Sequence, residues 1–142
     1  MEAHLTDITR VIQLAVAPVF LLTAIATMIN ALNVRLGRIV DRRRVVQERA
    51  DRQAAAGAVG DEITMLKRRS ALVYYAIFCA VLSALLVCMV VAGAFLGALL
   101  GVDLARTVAG LFIAAMLAMI AALGLFLREV FLAVRSGTHN KP

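Results

Sequence analysis

Three long apolar runs, none broken by a charge, decide what this chain can become: Val11–Leu32, Ala71–Leu100 and Val108–Leu127. They hold 22, 30 and 20 residues. A helix needs about 20 apolar residues to cross the ~30 Å hydrocarbon core of a bilayer. Lipid offers no partner to a backbone N–H or C=O, so such a run satisfies its own polar groups by folding as a helix. The composition agrees, since 63% of the 142 residues are hydrophobic, against roughly 45–50% in soluble domains. The expected fold class is all-α: an integral membrane protein of one domain with three transmembrane helices, at about 11–32, 72–100 and 108–127.

The stretch Asn33–Ser70 is highly charged. Its first part, NVRLGRIVDRRRVVQERADRQAAA, is good helix material and is expected to carry the first span out of the membrane as one helix. Glu48 and Arg52 sit in the favoured order for an i,i+4 ion pair. The small residues AAAGAVG at Ala54–Gly60 suggest a turn, after which Asp61 would cap a new helix with Glu62 in its first turn. Thr6 or Asp7 would cap the first helix. The second run would be ~45 Å long at 1.5 Å per residue, so its first turns should project from the bilayer. Tyr74 and Tyr75 suit the headgroup level. The two charged arms, about 34–71, are therefore expected to form an antiparallel helical hairpin outside the membrane. Val34, Ile39, Val45, Val46, Ile63 and Leu66 would make its seam, although their heptad spacing is broken. Gly101–Thr107 reads as a short loop, and the tail at 136–142 (SGTHNKP) reads as disordered.

Charge sets the expected orientation. Arg35, Arg38, Arg42, Arg43, Arg44, Arg49, Arg52, Lys67, Arg68 and Arg69 fall between the first and second spans, and Arg128, Arg135 and Lys141 follow the third. The other side has Arg10 and Arg106, a ratio of thirteen to two. Basic loops stay cytoplasmic, so the N-terminus should lie outside and the hairpin and C-terminus inside. The net charge of +6 has this topological cause; no nucleic-acid-binding motif accompanies it, and no nucleic-acid partner is expected. Because strong basic charge follows the first run instead of preceding it, that run reads as a retained span and not a cleaved signal.

The segment Thr9–Arg44, TRVIQLAVAPVFLLTAIATMINALNVRLGRIVDRRR, resembles the start of a bacterial family known as domain of unknown function 2721. The resemblance rests on Ala-Pro-Val-Phe-Leu-Leu at Ala17–Leu22, on the Asn-x-Arg-Leu-x-Arg-Ile-Val-Asp-Arg run at Asn33–Arg42, and on the three-span layout. It extends over about Thr6–Ser136 and is most specific in the first third. It implies a small protein of the bacterial inner membrane. It implies no activity, and it carries no functional residues over.

The first span is the most polar. Thr23, Thr27 and Asn30 recur at i, i+4, i+7 and share one helix face, with Gln13 and Thr9 near it and Asn33 at the exit. Arg38 and Asp41 continue the stripe. A polar stripe along a whole span is what the wall of a narrow aqueous pore needs, and three helices enclose one only as a ring of subunits. The plainer reading is that Thr bonds its own backbone while Asn and Gln join neighbouring helices. No Asp, Glu, Lys, Arg or His lies within the three runs, which argues against a proton-coupled transporter. Pro18 should kink the first span, as proline ordinarily does in membrane helices.

Gly93, Gly97 and Gly101 repeat at four-residue spacing and allow close helix approach. Gly110, Ala114, Ala118 and Ala122 offer a matching stripe on the third span, within one subunit or between subunits. The basic residues have three readings: topology signals, contacts to anionic lipid headgroups or a pore mouth (Arg35, Arg38, Lys67, Arg68, Arg69), and a surface for a cytosolic protein (Arg42–Arg52). Cys79 and Cys88 are about 900° apart on a helix, face opposite ways, and read as small buried hydrophobes. His4 and His139 have no companion metal ligands, Ser70 and Ser83 are isolated, and no phosphate loop or catalytic motif appears. No enzyme activity, metal or cofactor is expected. The functional expectation is a homo-oligomeric channel for ions or small solutes lined by Gln13, Thr23, Thr27, Asn30 and Asn33. The alternative is a non-conducting scaffold or accessory subunit that docks a partner through its basic hairpin.

Overall fold

A computed structural model of the chain describes the backbone of residues 2–52 and 56–138, and the side chains of residues 8–10, 12–52 and 60–135. Three α-helices account for nearly all of it: α1 (Glu2–Arg52), α2 (Ala56–Leu100) and α3 (Ala105–Thr138). Each contains a stretch long and apolar enough to cross a membrane, and the chain is a multi-pass membrane protein. At 51 residues, α1 is unbroken despite Pro18.

Several helix ends differ from the sequence expectation. Thr6 and Asp7 do not start α1, which is already helical at Glu2. Asp61 does not cap α2, which begins five residues earlier at Ala56. Alanine is the strongest helix former, and glycine costs only about 1 kcal/mol in a helix interior, so small residues there lengthen the helix instead of breaking it. Thr64 Oγ1 donates to the Gly60 carbonyl at 2.9 Å within this extension. Ala54 and Ala55 lie outside the described residues, as do residues 139–142 of the tail; residues 136–138 continue α3.

The α2–α3 connection is short because both ends are capped. Gly101 takes a left-handed backbone (φ 65°), the conformation glycine reaches without a Cβ penalty. Val102 N then donates to the Gly97 carbonyl at 3.2 Å, a helix-terminating bond of the Schellman type. Asp103 Oδ1 accepts the Ala105 N–H at 3.0 Å, satisfying an amide that the first turn of α3 leaves orphaned.

By packing, the molecule divides into two compact units. The first contains residues 1–29 and 79–120, the second residues 30–78 and 121–142. The first buries Pro18 and Ile25 of α1, Ala80, Ser83, Val87 and Val90 of α2, and Ala115 of α3. The second buries Leu32, Ile39 and Val46 of α1, Leu66, Val73 and Ala76 of α2, and Ala122 and Glu129 of α3. Within each unit the buried residues of α1 recur every seven positions; those of α2 alternate at three and four in the first unit (Ala80, Ser83, Val87, Val90) and fall at seven and three in the second (Leu66, Val73, Ala76). That is the spacing of helices packed knobs-into-holes.

This repeat corrects the seam expected from apolar residues alone. Ile39, Val46 and Leu66 are buried, but Val34 and Val45 are about half exposed. Both lie off the seven-residue line, so hydrophobicity without phase did not place them. The Glu48–Arg52 ion pair is not made either. For two long exposed side chains, the entropy of holding one geometry cancels most of the Coulomb gain.

Candidate functional site: a buried carboxylate between two arginines

The second unit contains the most unusual residue of the molecule. Glu129 is 1% exposed, on a helix face whose preceding buried position is Ala122. Its Oε2 accepts from Arg35 Nη1 of α1 at 2.8 Å, and its Oε1 accepts from Arg69 Nη2 of α2 at 2.9 Å. One carboxylate thus ties all three helices. The Arg35 guanidinium also lies 5.0 Å from the centre of the Phe126 ring, within cation–π range. Arg69 Nε is buried and has no hydrogen-bond partner among the described residues.

Each member arises from a local cause. Arg35 and Arg69 stand just beyond the first span and just before the second, where polar side chains can reach the membrane surface. Glu129 follows the third apolar run by two residues, between Leu127 and Val130. Its phase on α3, seven residues after Ala122, turns it inward. Charge-assisted bonds of this length are the strong kind. A carboxylate this deeply buried is stable only while paired, so loss of its partners is far more damaging than their mutual attraction suggests.

The remaining polar contacts are weaker. Arg42 Nη2 meets Glu62 Oε1 at 2.9 Å between the charged arms of α1 and α2, with both side chains well exposed. In the first unit Ser83 Oγ donates to the Ala115 carbonyl at 2.8 Å, a buried bond from α2 to α3.

The expected polar stripe of α1 is exposed. Gln13, Thr23 and Thr27 are exposed in the first unit, and Asn30 and Asn33 in the second. Thr23 Oγ1 donates to the Val19 carbonyl at 3.2 Å and Thr27 Oγ1 to the Thr23 carbonyl at 2.9 Å, so both hydroxyls use their protons on the helix backbone. Of the basic residues expected together at the membrane surface, Arg35 and Arg69 converge on Glu129, while Arg38, Lys67 and Arg68 are exposed and make no ion pair among the described residues.

Among the small residues, Gly93 sits so near Val108 that an added Cβ would be 3.2 Å from its Cγ2. At Gly97 an added Cβ would be 3.2 Å from the Val102 carbonyl oxygen. Gly101 terminates α2 instead of packing within it. On α3 the inward residues are Ala115 and Ala122; Ala118 is half-buried, Ala114 is exposed, and Gly110 has open space where a Cβ would be. A seven-residue repeat, and not the expected four-residue one, selects that face. Cys79 is half-buried, but Cys88 is exposed, which corrects its reading as a buried hydrophobe. The side chains of His4 and His139 lie outside the described residues.

Comparison with known proteins places the chain. A family model described as protein of unknown function (DUF2721) matches residues 15–138. The chain belongs to that family. The matched region contains Arg35, Arg69 and Glu129, and so the whole charged cluster falls inside the family's segment. No curated protein and no solved structure matches the chain.

The sequence alone did not single out Glu129 or Ser83. The available signal was phase: Ala115, Ala122 and Glu129 are seven residues apart, as are Ala76, Ser83 and Val90.

Proposed function

We propose that this protein is a self-assembling scaffold of the bacterial inner membrane, whose copies associate through the polar face of α1. The observation that carries the reading is the exposure of Gln13, Thr23, Thr27 and Asn30 within a stretch apolar enough to span the bilayer. The buried residues of α1 recur at Pro18, Ile25 and Leu32, on the other side of the helix. Amides that face hydrocarbon lack partners, and a second helix supplies them at about 1–2 kcal/mol per interhelical bond in model peptides. The charged arms, with thirteen of the fifteen basic residues on their side, then lie in the cytoplasm as a helical hairpin. There they present Arg42–Arg52 to a cytosolic partner. No catalytic role is assigned.

The test is the native mass of the full chain in lipid nanodiscs. A discrete oligomer that Asn30→Leu dissociates supports the scaffold; a monomer in both cases refutes it.

One observation favours a second reading, a pore. The exposed side of α1 continues through Asn33, Arg38 and Asp41, all exposed, as the wall and mouth of a channel would. A ring of subunits would turn that side inward, with Gln13, Thr23, Thr27 and Asn30 along the path. In that case Asn30→Leu changes ion flux into liposomes while the oligomer survives.

A further inference from the structure

Beside the Glu129 cluster, the second unit has a shallow groove of about 450 Å³ between the charged arms of α1 and α2. Arg43 and Lys67 form its polar end; Ser70, Leu36, Tyr74 and Tyr75 continue it toward the apolar run of α2. The cations in this part of the molecule divide into two sets. Arg35, Arg42 and Arg69 are matched to carboxylates. Among the described residues Arg43 and Lys67 have no carboxylate within ion-pair distance, so the groove presents positive charge that these residues do not compensate.

At the other end the chemistry changes. Tyr74 and Tyr75 stand 65% and 60% exposed with their rings edge to face at 6.4 Å, and Phe78 beyond them is 59% exposed. Exposed tyrosines at the start of a membrane run mark the headgroup level, where a ring rests on lipid and its hydroxyl on water. From Leu36 to Arg43 is two helical turns, about 10 Å, a distance that a headgroup layer roughly 5–7 Å deep and a basic side chain bent toward it close between them.

From this we infer that the groove binds the phosphodiester of one anionic phospholipid, with Arg43 and Lys67 on the phosphate, Tyr74 and Tyr75 beside the headgroup, and the acyl chains along the apolar face of α2. A membrane lipid is favoured over a soluble anion because the groove is cationic at one end and runs into an exposed apolar, aromatic surface at the other. The site rests on the membrane reading but not on self-association.

The experiment is native mass spectrometry of the full chain in neutral detergent, titrated with phosphatidylglycerol or phosphatidylcholine. One phosphatidylglycerol should be retained in preference to phosphatidylcholine. Each basic side chain near an anionic headgroup is worth about fivefold in affinity, so the Arg43→Gln/Lys67→Gln double variant should weaken retention about 30-fold. The Arg49→Gln/Arg52→Gln variant removes the same charge from exposed positions off the groove and should leave retention unchanged. Circular dichroism of each variant confirms that the helices persist. Equal losses in the two variants, or no loss in the first, overturn the site. Displacement of the lipid by inorganic phosphate overturns the lipid assignment in favour of a soluble anion. The same spectra give the subunit number, so failure of the lipid site and failure of self-association are read separately.

Discussion

The two packing units solve the same problem with different materials. Both bury residues of α1 at seven-residue intervals, yet the first fills the inward positions of α2 and α3 with uncharged groups of small to middling size: Ala80, Ser83, Val87, Val90 and Ala115. Its one buried side-chain hydrogen bond among the described residues reaches a backbone carbonyl. The second fills the equivalent position of α3 with a carboxylate and brings two guanidiniums to it. Close approach secures the first unit, and directional charge secures the second. Apolar helices in lipid gain little from burying apolar surface, so their association depends on tight packing. Outside the hydrocarbon, water competes for every polar group, and only a desolvated, fully paired charge remains specific.

This contrast is open to attack at four points. The largest effect belongs to Glu129: Glu129→Ala leaves Arg35 and Arg69 without their counter-charge and should destabilise the fold by about 3–5 kcal/mol. Reversible unfolding in detergent, followed by circular dichroism, measures it, and a loss below about 1 kcal/mol would make the cluster no better than a surface ion pair. Replacing all three residues together by leucine should recover most of that loss, since apolar substitutes for a buried ion cluster are often neutral.

Next comes Gly93→Leu in the first unit, which must push into Val108 and should cost about 1–3 kcal/mol as overpacking does. A neutral result would mean that close approach is not what secures α2 against α3. Ser83→Ala should be milder, about 0.5–1.5 kcal/mol, and insensitive to salt in the same unfolding assay. Smallest is Arg42→Ala at about 0–1 kcal/mol, and this effect alone should vanish when the measurement is repeated at high ionic strength. A Glu129 effect that faded equally with salt would contradict the burial described above.

Much of the architecture was legible because span length is a hard constraint: three runs near or above 20 residues admit little besides three helices. The helix starts were not, because small residues such as Ala56–Gly60 read as a turn when their helix propensity lets α2 run through them. The seam of the charged arms was hidden for a different reason. Val34 and Ile39 are similar in hydrophobicity, and only phase, fixed by the partner helices, separates the exposed one from the buried one. Glu129 escaped because the eye groups it with the basic residues that follow the third span. Its position on the Ala115–Ala122 line, visible only once helix faces are compared, is what sends it inward.

The shared carboxylate also bears on how such sequences can change over time. No single replacement at Arg35, Arg69 or Glu129 is neutral: loss of Glu129 strands two cations, and loss of either arginine takes the partner from one oxygen of a buried carboxylate, whereas a coordinated change of all three is mild. The three positions should therefore be inherited as a block: relatives that have lost the acid should have lost both bases, and intermediates with one arginine and no carboxylate should be rare.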